Sequence, residues 1–250
     1  NGVASAFWPA PAEEGFQPDL SAVAAAARTC DAVYICNPNN PTGVLMEGEA
    51  LRTFSRQFPD KTVIVDESYL PFVDDPESHS LMVDRPDNVL VLHSMSKIFR
   101  VPGLRIGFAV GAAPLIRRLR HYALPWNVNA VALAAVQFLL RADPALEDFV
   151  RQTRRNLRAQ REAMMGRLAA IPGVRCFASA TGFFLVQLSG PHRSHTVCRQ
   201  LAREKILVRD CANFDGLSDR FIRISLQDGT RNAQCIRALE AILSDPPLGG

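Results

Sequence analysis

The chain has 250 residues, of which 48% are hydrophobic, so it is long enough to bury a core and to form one large domain or two smaller ones. Its 28 basic and 25 acidic residues leave a formal charge of only +3, and no block of like charge predicts a nucleic-acid or membrane surface. The six cysteines show neither a Cys-x-x-Cys pair nor metal-ligand spacing, which favours reduced thiols in a cytoplasmic protein. No apolar stretch reaches the length of a membrane-spanning helix.

Apolar segments alternate with helical patterns through the first part of the chain. A helix is predicted at 19–28, where Asp19 is a suitable N-cap. The predicted strands that follow cover residues 32–36, 61–65, 89–92 and 106–111, and the further helices cover residues 47–58, 114–122 and 129–141. This alternation predicts an α/β domain over residues 1–145 with a mainly parallel sheet. The last strand would run antiparallel if it returns directly from the preceding loop.

The second part of the chain has a different pattern. It begins with a long helical segment from Pro144 to about residue 170, after which strands and helices are arranged less regularly. The predicted strands cover residues 174–177, 182–188, 206–208 and 221–226, and the predicted helices cover residues 194–204 and 231–244. We therefore expect a smaller α+β domain over residues 146–250.

The loop after the third predicted strand carries the most distinctive polar side chains. Residues 93–108 read HSMSKIFRVPGLRIGF and directly follow the buried strand at 89–92. Ligands of open α/β sheets bind at the carboxyl ends of the strands. The hydroxyl and cationic groups here suit a phosphorylated ligand, and the lysine can form a Schiff base with an aldehyde. These side chains are Ser94, Ser96, Lys97 and Arg105.

Two earlier strand ends carry polar loops that can converge with the lysine loop. Residues 37–43 read NPNNPTG, a rigid loop that presents Asn40. The second strand leads into Asp66 and Tyr69. An ionised aspartate can pair with a ring nitrogen, and an amide and a phenol can hydrogen-bond a phenolic oxygen. With a lysine for an aldehyde carbon, and serines and an arginine for a phosphate, this set describes a pocket for pyridoxal 5′-phosphate.

The three loops, in this order and spacing, resemble those of the fold-type I pyridoxal-phosphate enzymes, specifically the class I and II aminotransferase superfamily. The segments that carry the resemblance are 37–43, 66–69 and 94–107, and it extends over essentially the whole chain. It implies a large α/β domain of three layers with a mainly parallel sheet, followed by a smaller C-terminal α+β domain. It also implies an enzyme that forms a homodimer with active sites at the subunit interface.

The resemblance implies a role for each polar side chain of the loops. Lys97 looks like the Schiff-base lysine and Asp66 like the partner of the pyridinium nitrogen, so both would act in catalysis together with Tyr69. Asn40 and Tyr69 would contact the ring oxygen, and the serines and the arginine of the lysine loop would contact the phosphate. The predicted cofactor-binding residues are Asn40, Asp66, Tyr69, Ser94, Ser96, Lys97 and Arg105.

Two arginines in the second part of the chain are candidate substrate ligands. Arg209 and Arg223 lie close to predicted strand ends. An arginine fork matches the geometry of a carboxylate or a phosphate, so two such residues suit a substrate that carries both groups. We expect a small phosphorylated amino-acid or amine substrate. By the resemblance, Arg223 looks like the residue that grips the substrate carboxylate.

Two branches of the superfamily share this arrangement, the histidinol-phosphate aminotransferases and the threonine-phosphate decarboxylases, which make aminopropanol phosphate for cobalamin assembly. Segments 124–130 and 208–217 look more like the decarboxylase branch, so we expect decarboxylation of L-threonine O-3-phosphate. An aminotransferase acting on histidinol phosphate or a related substrate is the first alternative. The second is a non-catalytic, aminotransferase-like sensor domain of a transcription regulator, which a winged-helix segment upstream would favour.

The start of the chain indicates a longer protein. It lacks an initiator Met and begins at Asn1 and Gly2 without a capping or strand signal. Members of the family that it resembles carry, before this position, a turn that cradles the cofactor phosphate and an aromatic side chain that stacks on the ring. We therefore expect the N-terminal part of the family fold to be missing from this chain.

Overall fold

The computed structural model describes Gly2, residues 4–141 and residues 143–244, and these residues form two compact units. The parallel-sheet unit consists of Leu20–Asn40 and Leu45–Arg155. The antiparallel-sheet unit consists of Pro41–Val44 and the described residues of Asn1–Asp19 and Asn156–Gly250. The domain limits inferred from the sequence, 1–145 and 146–250, stay a prediction.

A four-stranded sheet organises the parallel-sheet unit. Its strands, in spatial order, are β1 (Ala32–Cys36), β2 (Thr62–Asp66), β3 (Val89–Ser94) and β4 (Gly107–Val110). Strands β1, β2 and β3 are parallel, whereas β4 is antiparallel to β3. The prediction of a mainly parallel sheet with an antiparallel last strand is therefore confirmed.

Six helices of the described chain begin in this unit, and the first two pack on its sheet. They are α1 (Leu20–Ala27), α2 (Gly48–Arg56), α3 (Pro76–His79), α4 (Ala113–Arg120), α5 (Ala130–Leu139) and α6 (Pro144–Leu168), whose C-terminal part belongs to the other unit. Alternate residues of β2 and β3, including Val63, Val65 and Val91, are fully buried in one core with Leu51 and Phe54 of α2. Each such side chain contributes about 1.5–3 kcal/mol by leaving water. This core holds in place the strands whose ends carry the polar loops.

The connection between β2 and β3, predicted as a polar loop, contains short helical turns and is anchored at its end by Asn88. A 3-10 turn at Leu70–Phe72 and α3 lie within it. The two hydrogens of the Asn88 side-chain Nδ2 are shared among the carbonyls of Ser55, Phe58 and Lys61, at 3.0, 2.8 and 3.1 Å. These bonds satisfy carbonyls at and beyond the end of α2, so one side chain fixes the start of β3 against that helix.

A second sheet, entirely antiparallel, organises the other unit. Its strands, in spatial order, are β5 (Val174–Cys176), β6 (Phe183–Leu188), β8 (Phe221–Ser225) and β7 (Arg209–Asp210), and its helices are α7 (Ser194–Arg203) and α8 (Gly229–Ser244). Phe184, Val186 and Ile222 of the sheet are fully buried in a core with helical residues such as Leu201 and Leu239. The predicted α+β arrangement is confirmed. None of the helices that the structure describes combines the length and the apolar character that crossing a bilayer requires.

The prediction of a strand at 206–208 is wrong, because the observed strand is Arg209–Asp210. The Ile206 N–H donates to the Leu201 carbonyl at 2.9 Å, so this apolar run still closes the end of α7. Strand pairing begins only at Arg209, which lies opposite Arg223 of β8. The apolar run suggested a strand, but the N–H of its first residue bonds to a carbonyl at the end of α7 instead of to a neighbouring strand.

We expect Asn88→Ala to lower the free energy of unfolding by about 1–3 kcal/mol, because three carbonyls each lose a hydrogen bond. Urea denaturation followed by circular dichroism measures the change. Asp87→Ala, at the exposed neighbouring position, is the control and should stay within about 0.5 kcal/mol of the wild type. Equal stability of the two variants would contradict the anchoring role of Asn88.

Candidate active site

The carboxyl ends of β1, β2 and β3 lie side by side at one edge of the sheet. In the strand register Cys36 is opposite Asp66, and Asp66 is opposite Leu92. The backbone ladder continues one step further, because the Asn37 N–H donates to the Asp66 carbonyl at 2.9 Å and the Glu67 N–H to the Leu92 carbonyl at 2.8 Å. The three polar loops therefore start from adjacent positions, at the edge where ligands of such sheets bind.

The Asp66 carboxylate is held by hydrogen bonds on both of its oxygens. The Ser68 N–H donates to Oδ1 at 2.9 Å, and the Tyr34 hydroxyl donates to Oδ2 at 2.6 Å. Burial by itself raises the pKa of Asp66, but these hydrogen bonds and the positive charge of Lys97 outweigh it. The pKa of Asp66 therefore lies below the usual value for aspartate, and the side chain is ionised at neutral pH.

Lys97 lies next to Tyr69. Its Nζ is 5.0 Å from the centroid of the Tyr69 ring, within the range of a cation–π contact. Its charge also acts on Asp66. The Arg100 N–H donates to the Lys97 carbonyl at 3.1 Å, so the lysine stands in a tight turn. Loops from two neighbouring strands thus bring together the three residues predicted to act in catalysis.

Ser96 fastens the lysine loop to the start of β4. Its buried hydroxyl donates to the Ile106 carbonyl at 3.1 Å and accepts from the Ile106 N–H at 3.4 Å, so its only hydrogen is used inside the loop. The next residue, Gly107, lies opposite Ser94. A Cβ at Gly107 would come within 2.6 Å of the His93 carbonyl oxygen, so this close approach of β4 requires glycine. The contacts of Ser94 and Ser96 with a phosphate stay predictions.

Arg105 ends the turn between the lysine and β4. Its backbone is in the left-handed region, with φ of 52°, which is uncommon outside glycine. Its side chain is exposed, and its Nη1 donates to the Pro102 carbonyl at 3.3 Å. The guanidinium is therefore accessible to an anion, and its contact with the cofactor phosphate stays a prediction.

The loop that carries Asn40 is closed at its base by Asn37. The Asn37 side chain is fully buried; its Nδ2 donates to the Met46 carbonyl at 3.0 Å, and its Oδ1 accepts from the Met46 N–H at 2.8 Å. Burial raises the pKa of the Cys36 thiol to about 11, against the lowering effect of a backbone hydrogen bond from Asn40. Asn40 is thus held close to Cys36, whose strand neighbour is Asp66.

Glu67 supports the loop after Asp66 and was not predicted as a site residue. Its side chain is fully buried, with Oε2 accepting from the Ser80 hydroxyl at 2.7 Å and Oε1 from the Leu81 N–H at 2.6 Å. Burial raises the pKa of Glu67 in opposition to these hydrogen bonds. In the sequence, only its position next to Asp66 indicated that Glu67 could lie at the site.

Tyr34 and His93 also lie at the site, and no role was predicted for either. The alternation of side chains along β1 and β2 puts Tyr34 on the same face as Asp66, which is a signal present in the sequence. His93 stacks on Phe108, with ring centroids 4.9 Å apart and an interplanar angle of 14°. Burial lowers the pKa of His93, and its buried Nδ1 has no hydrogen-bond partner within the described ranges.

In the antiparallel-sheet unit, the two predicted substrate-binding arginines pair across neighbouring strands. Arg209 of β7 is directly opposite Arg223 of β8. The Arg209 Nη2 donates to Asn213 Oδ1 at 2.9 Å, and its Cζ lies 5.4 Å from the centroid of the Phe214 ring. The Arg223 Cζ lies 4.8 Å from the centroid of the Phe183 ring. Like charges at opposed strand positions repel each other, so an anion that binds both would stabilise the pair.

The donors of the parallel-sheet unit fit pyridoxal 5′-phosphate by their chemistry. A carboxylate with a lowered pKa suits a protonated ring nitrogen, a lysine amine suits an aldehyde, and an accessible guanidinium suits a phosphate. The residues that supply these groups are Asp66, Lys97 and Arg105, with Asn40 and Tyr69 in the adjoining loops. The mainly parallel sheet and this site define a protein of the fold-type I pyridoxal-phosphate class.

Comparison with known proteins identifies the family. The profile of the family described as aminotransferase class I and II matches residues 1–242. The chain therefore belongs to the class I and II aminotransferase family. The cofactor of this family is pyridoxal 5′-phosphate, as the sequence predicted.

The relatives include both branches named above. A threonine-phosphate decarboxylase from Salmonella typhimurium is 28% identical over 244 residues, which are 95% of this chain and 64% of the relative. A histidinol-phosphate aminotransferase from Bordetella bronchiseptica is 36% identical over 239 residues, which are 94% of this chain and 62% of the relative. The solved structure of L-threonine-O-3-phosphate decarboxylase from Porphyromonas gingivalis matches with a TM-score of 0.78 at 28% identity, covering 88% of this chain and 66% of that protein. The chain thus spans less than two thirds of the length of these curated relatives.

We expect Glu67→Gln to change how stability depends on pH, because the amide still accepts from the Leu81 N–H but carries no charge. A buried acid with a raised pKa binds its proton more tightly in the folded state. The wild type therefore loses stability as the pH rises from the usual glutamate pKa through the raised value, and the variant should lack this loss.

Thermal unfolding across this pH range measures the difference between the variant and the wild type. Glu77→Gln, at an exposed glutamate of the same unit, is the control. If the stability difference for Glu67→Gln stays constant with pH, the burial of Glu67 does not raise its pKa.

Proposed function

We propose that the intact protein decarboxylates L-threonine O-3-phosphate to aminopropanol phosphate and so serves cobalamin biosynthesis. The observation that carries this proposal is the opposed pair Arg209 and Arg223, which suits a substrate with both a phosphate and a carboxylate. The relatives named as threonine-phosphate decarboxylases support it, as does the resemblance of segments 124–130 and 208–217 to that branch.

Asp66 and Lys97 carry the chemistry in this proposal. When bound, pyridoxal 5′-phosphate supplies an electron sink that stabilises negative charge at the substrate Cα. Asp66 holds a proton on the ring nitrogen, because an adjacent anion favours the charged form of that nitrogen. Lys97 would hold the aldehyde carbon, and its amine would move a proton at the substrate Cα.

The remaining loop residues hold the cofactor in this proposal. Asn40 and Tyr69 hydrogen-bond the ring oxygen. Ser94 and the accessible guanidinium of Arg105 bind the phosphate. The hydroxyl hydrogen of Ser96 is used by a backbone carbonyl. Ser96 therefore supports phosphate binding by fixing the loop that carries Ser94 and Arg105.

In this proposal the two arginines bind the anionic groups of the substrate. A decarboxylase holds the bond from Cα to the carboxylate perpendicular to the cofactor ring, whereas a transaminase presents the Cα–H bond there. Arg223 would bind the carboxylate and Arg209 the phosphate. Anchors at both ends limit rotation of the substrate about Cα, which lowers the entropy lost in reaching the reactive geometry.

A histidinol-phosphate aminotransferase is the second candidate function. The relative from Bordetella bronchiseptica, at 36% identity, favours it. The same lysine, aspartate and phosphate-binding arginines would serve, because this reaction differs in the bond that is presented for cleavage rather than in the groups that hold the cofactor.

We also propose that the intact protein forms a homodimer, as the family resemblance implies. Large apolar side chains between residues 122 and 140 are exposed in the described chain, and contiguous apolar surface is typical of interaction sites. A second copy is the occupant that we propose for this surface. Its most exposed members are Tyr122, Leu124, Trp126, Val131 and Leu140. A cytoplasmic location stays a prediction.

The decisive experiment incubates the intact protein with pyridoxal 5′-phosphate and L-threonine O-3-phosphate and identifies the product by mass spectrometry. Aminopropanol phosphate without any keto acid supports the decarboxylase. Amino transfer from histidinol phosphate to 2-oxoglutarate, without decarboxylation, would overturn it in favour of the second candidate. Lys97→Ala should reduce either activity about a hundredfold or more while the protein stays folded, because it removes the proton-transfer group.

We expect Arg209→Gln to raise KM for L-threonine O-3-phosphate about 10- to 100-fold with a smaller change in kcat, because a hydrogen bond to a charged group contributes about 1.5–3 kcal/mol. Binding of unphosphorylated L-threonine should change much less. Steady-state kinetics with both substrates measures this difference. Arg199→Gln, at an exposed arginine of the same unit, is the control. An equal loss of binding for both substrates would show that Arg209 does not bind the phosphate.

A further inference from the structure

Tyr34 stands on the same face of the sheet as Asp66. In the pairing of β1 with β2, Tyr34 is opposite Ile64 and Cys36 is opposite Asp66, and alternate residues of a strand point to the same side. The intervening residue of β1, Ile35, packs into the core on the other side. Tyr34 is therefore a diagonal neighbour of Asp66, at a separation that an aromatic side chain can bridge.

The Tyr34 hydroxyl makes a short, charge-assisted hydrogen bond to Asp66. The oxygen–oxygen distance of 2.6 Å lies in the range for a hydroxyl on an ionised carboxylate, about 2.5–2.7 Å. The Ser68 N–H holds the other oxygen at 2.9 Å. These two donors, one on β1 and one in the loop after β2, fix the plane of the carboxylate. An ionised carboxylate has about four lone-pair positions, so it can still accept from a ligand.

The exposure of Tyr34 distinguishes this contact from ordinary core packing. The residue is 59% exposed, so its ring removes little apolar surface from water. Burial of the hydroxyl, and then its hydrogen bond to Asp66, raise the pKa of Tyr34. The phenol therefore keeps its hydrogen and stays a donor. The hydroxyl is directed at Asp66, and a role for Tyr34 there rests on this hydrogen bond.

Four other ionisable groups interact electrostatically with Asp66. Lys97, in the loop after β3, favours its charged form. Burial and the charge of Asp66 raise the pKa of Cys36 on β1, so the thiol stays neutral. Burial lowers the pKa of His93 on β3, so the imidazole is neutral at neutral pH. Burial and, more weakly, the charge of Asp66 raise the pKa of Glu67. The hydrogen-bond donors and one positive charge thus hold Asp66 ionised.

We propose that Tyr34 is a positioning residue, which holds the Asp66 carboxylate through Oδ2 in the orientation in which it meets the ring nitrogen of the cofactor. This inference rests on the role of Asp66 in the proposed function. Loss of the hydroxyl would leave Oδ2 to solvent and free the carboxylate to rotate. It would also make the carboxylate easier to protonate, because its charged form loses a donor.

The test is Tyr34→Phe in the intact protein, which removes only the hydroxyl. The titration of Asp66 is followed by carbon NMR of the cofactor-free protein with labelled aspartate carboxyl groups, and the Asp66 signal is the one that Asp66→Asn removes. The pKa of Asp66 should rise by about one unit in Tyr34→Phe, the size expected for one hydrogen bond to a charged group. Ser78→Ala, which removes an exposed hydroxyl of the same unit, should leave it unchanged.

Cofactor affinity gives a second measurement that does not depend on the reaction. The intact protein is titrated with pyridoxal 5′-phosphate at a series of pH values, and binding is followed by cofactor absorbance. As the pH is lowered, cofactor affinity should begin to fall at a higher pH in Tyr34→Phe than in the wild type. An Asp66 titration unchanged in a folded Tyr34→Phe would overturn the proposal even if the enzyme decarboxylates its substrate. A shifted titration in a protein that does not decarboxylate would support the role of Tyr34 and overturn only the proposed function.

Discussion

The register of the three parallel strands is the constraint on which the candidate site depends. Cys36, Asp66 and Leu92 occupy matching positions, so the loops that follow them begin at one edge. A slip of one residue between β1 and β2 would turn every side chain of the slipped strand to the opposite face. The buried valines at Val63 and Val65 resist such a slip, because it would expose them to water. Core packing on one face thus sets the position of the carboxylate on the other.

The sheet and its direction could be predicted because the pattern of these strands is local. The strand at residues 62–66 is a short apolar run that ends at a polar loop, and an antiparallel return after the lysine loop follows from the short connection. The strand expected at 206–208 failed for a physical reason. An apolar run predicts burial, but whether its backbone pairs with a strand or closes a helix depends on partners such as Arg223 and Leu201, which the run does not specify.

The site could be predicted only in part. Asn40, Asp66, Tyr69 and Lys97 were predicted because each follows a strand end and has a distinctive chemistry. The residues that support them were not, since their contacts join positions far apart in sequence. Tyr34 reaches Asp66 across 32 positions, and Glu67 is held by residues 13 and 14 positions away. No local pattern encodes such contacts, although the alternation of side chains would have placed Tyr34 on the correct face.

The pairing of two arginines across β7 and β8 links ligand binding to local order. Strand β7 has only two residues, and one of them stands opposite a like charge. An anion bound to both guanidinium groups favours the paired state over the opened one. By mass action, a ligand at about a hundred times its dissociation constant stabilises the state that binds it by about 2.7 kcal/mol. In the proposed function, binding of the substrate's anionic groups would therefore favour the pairing of β7 with β8.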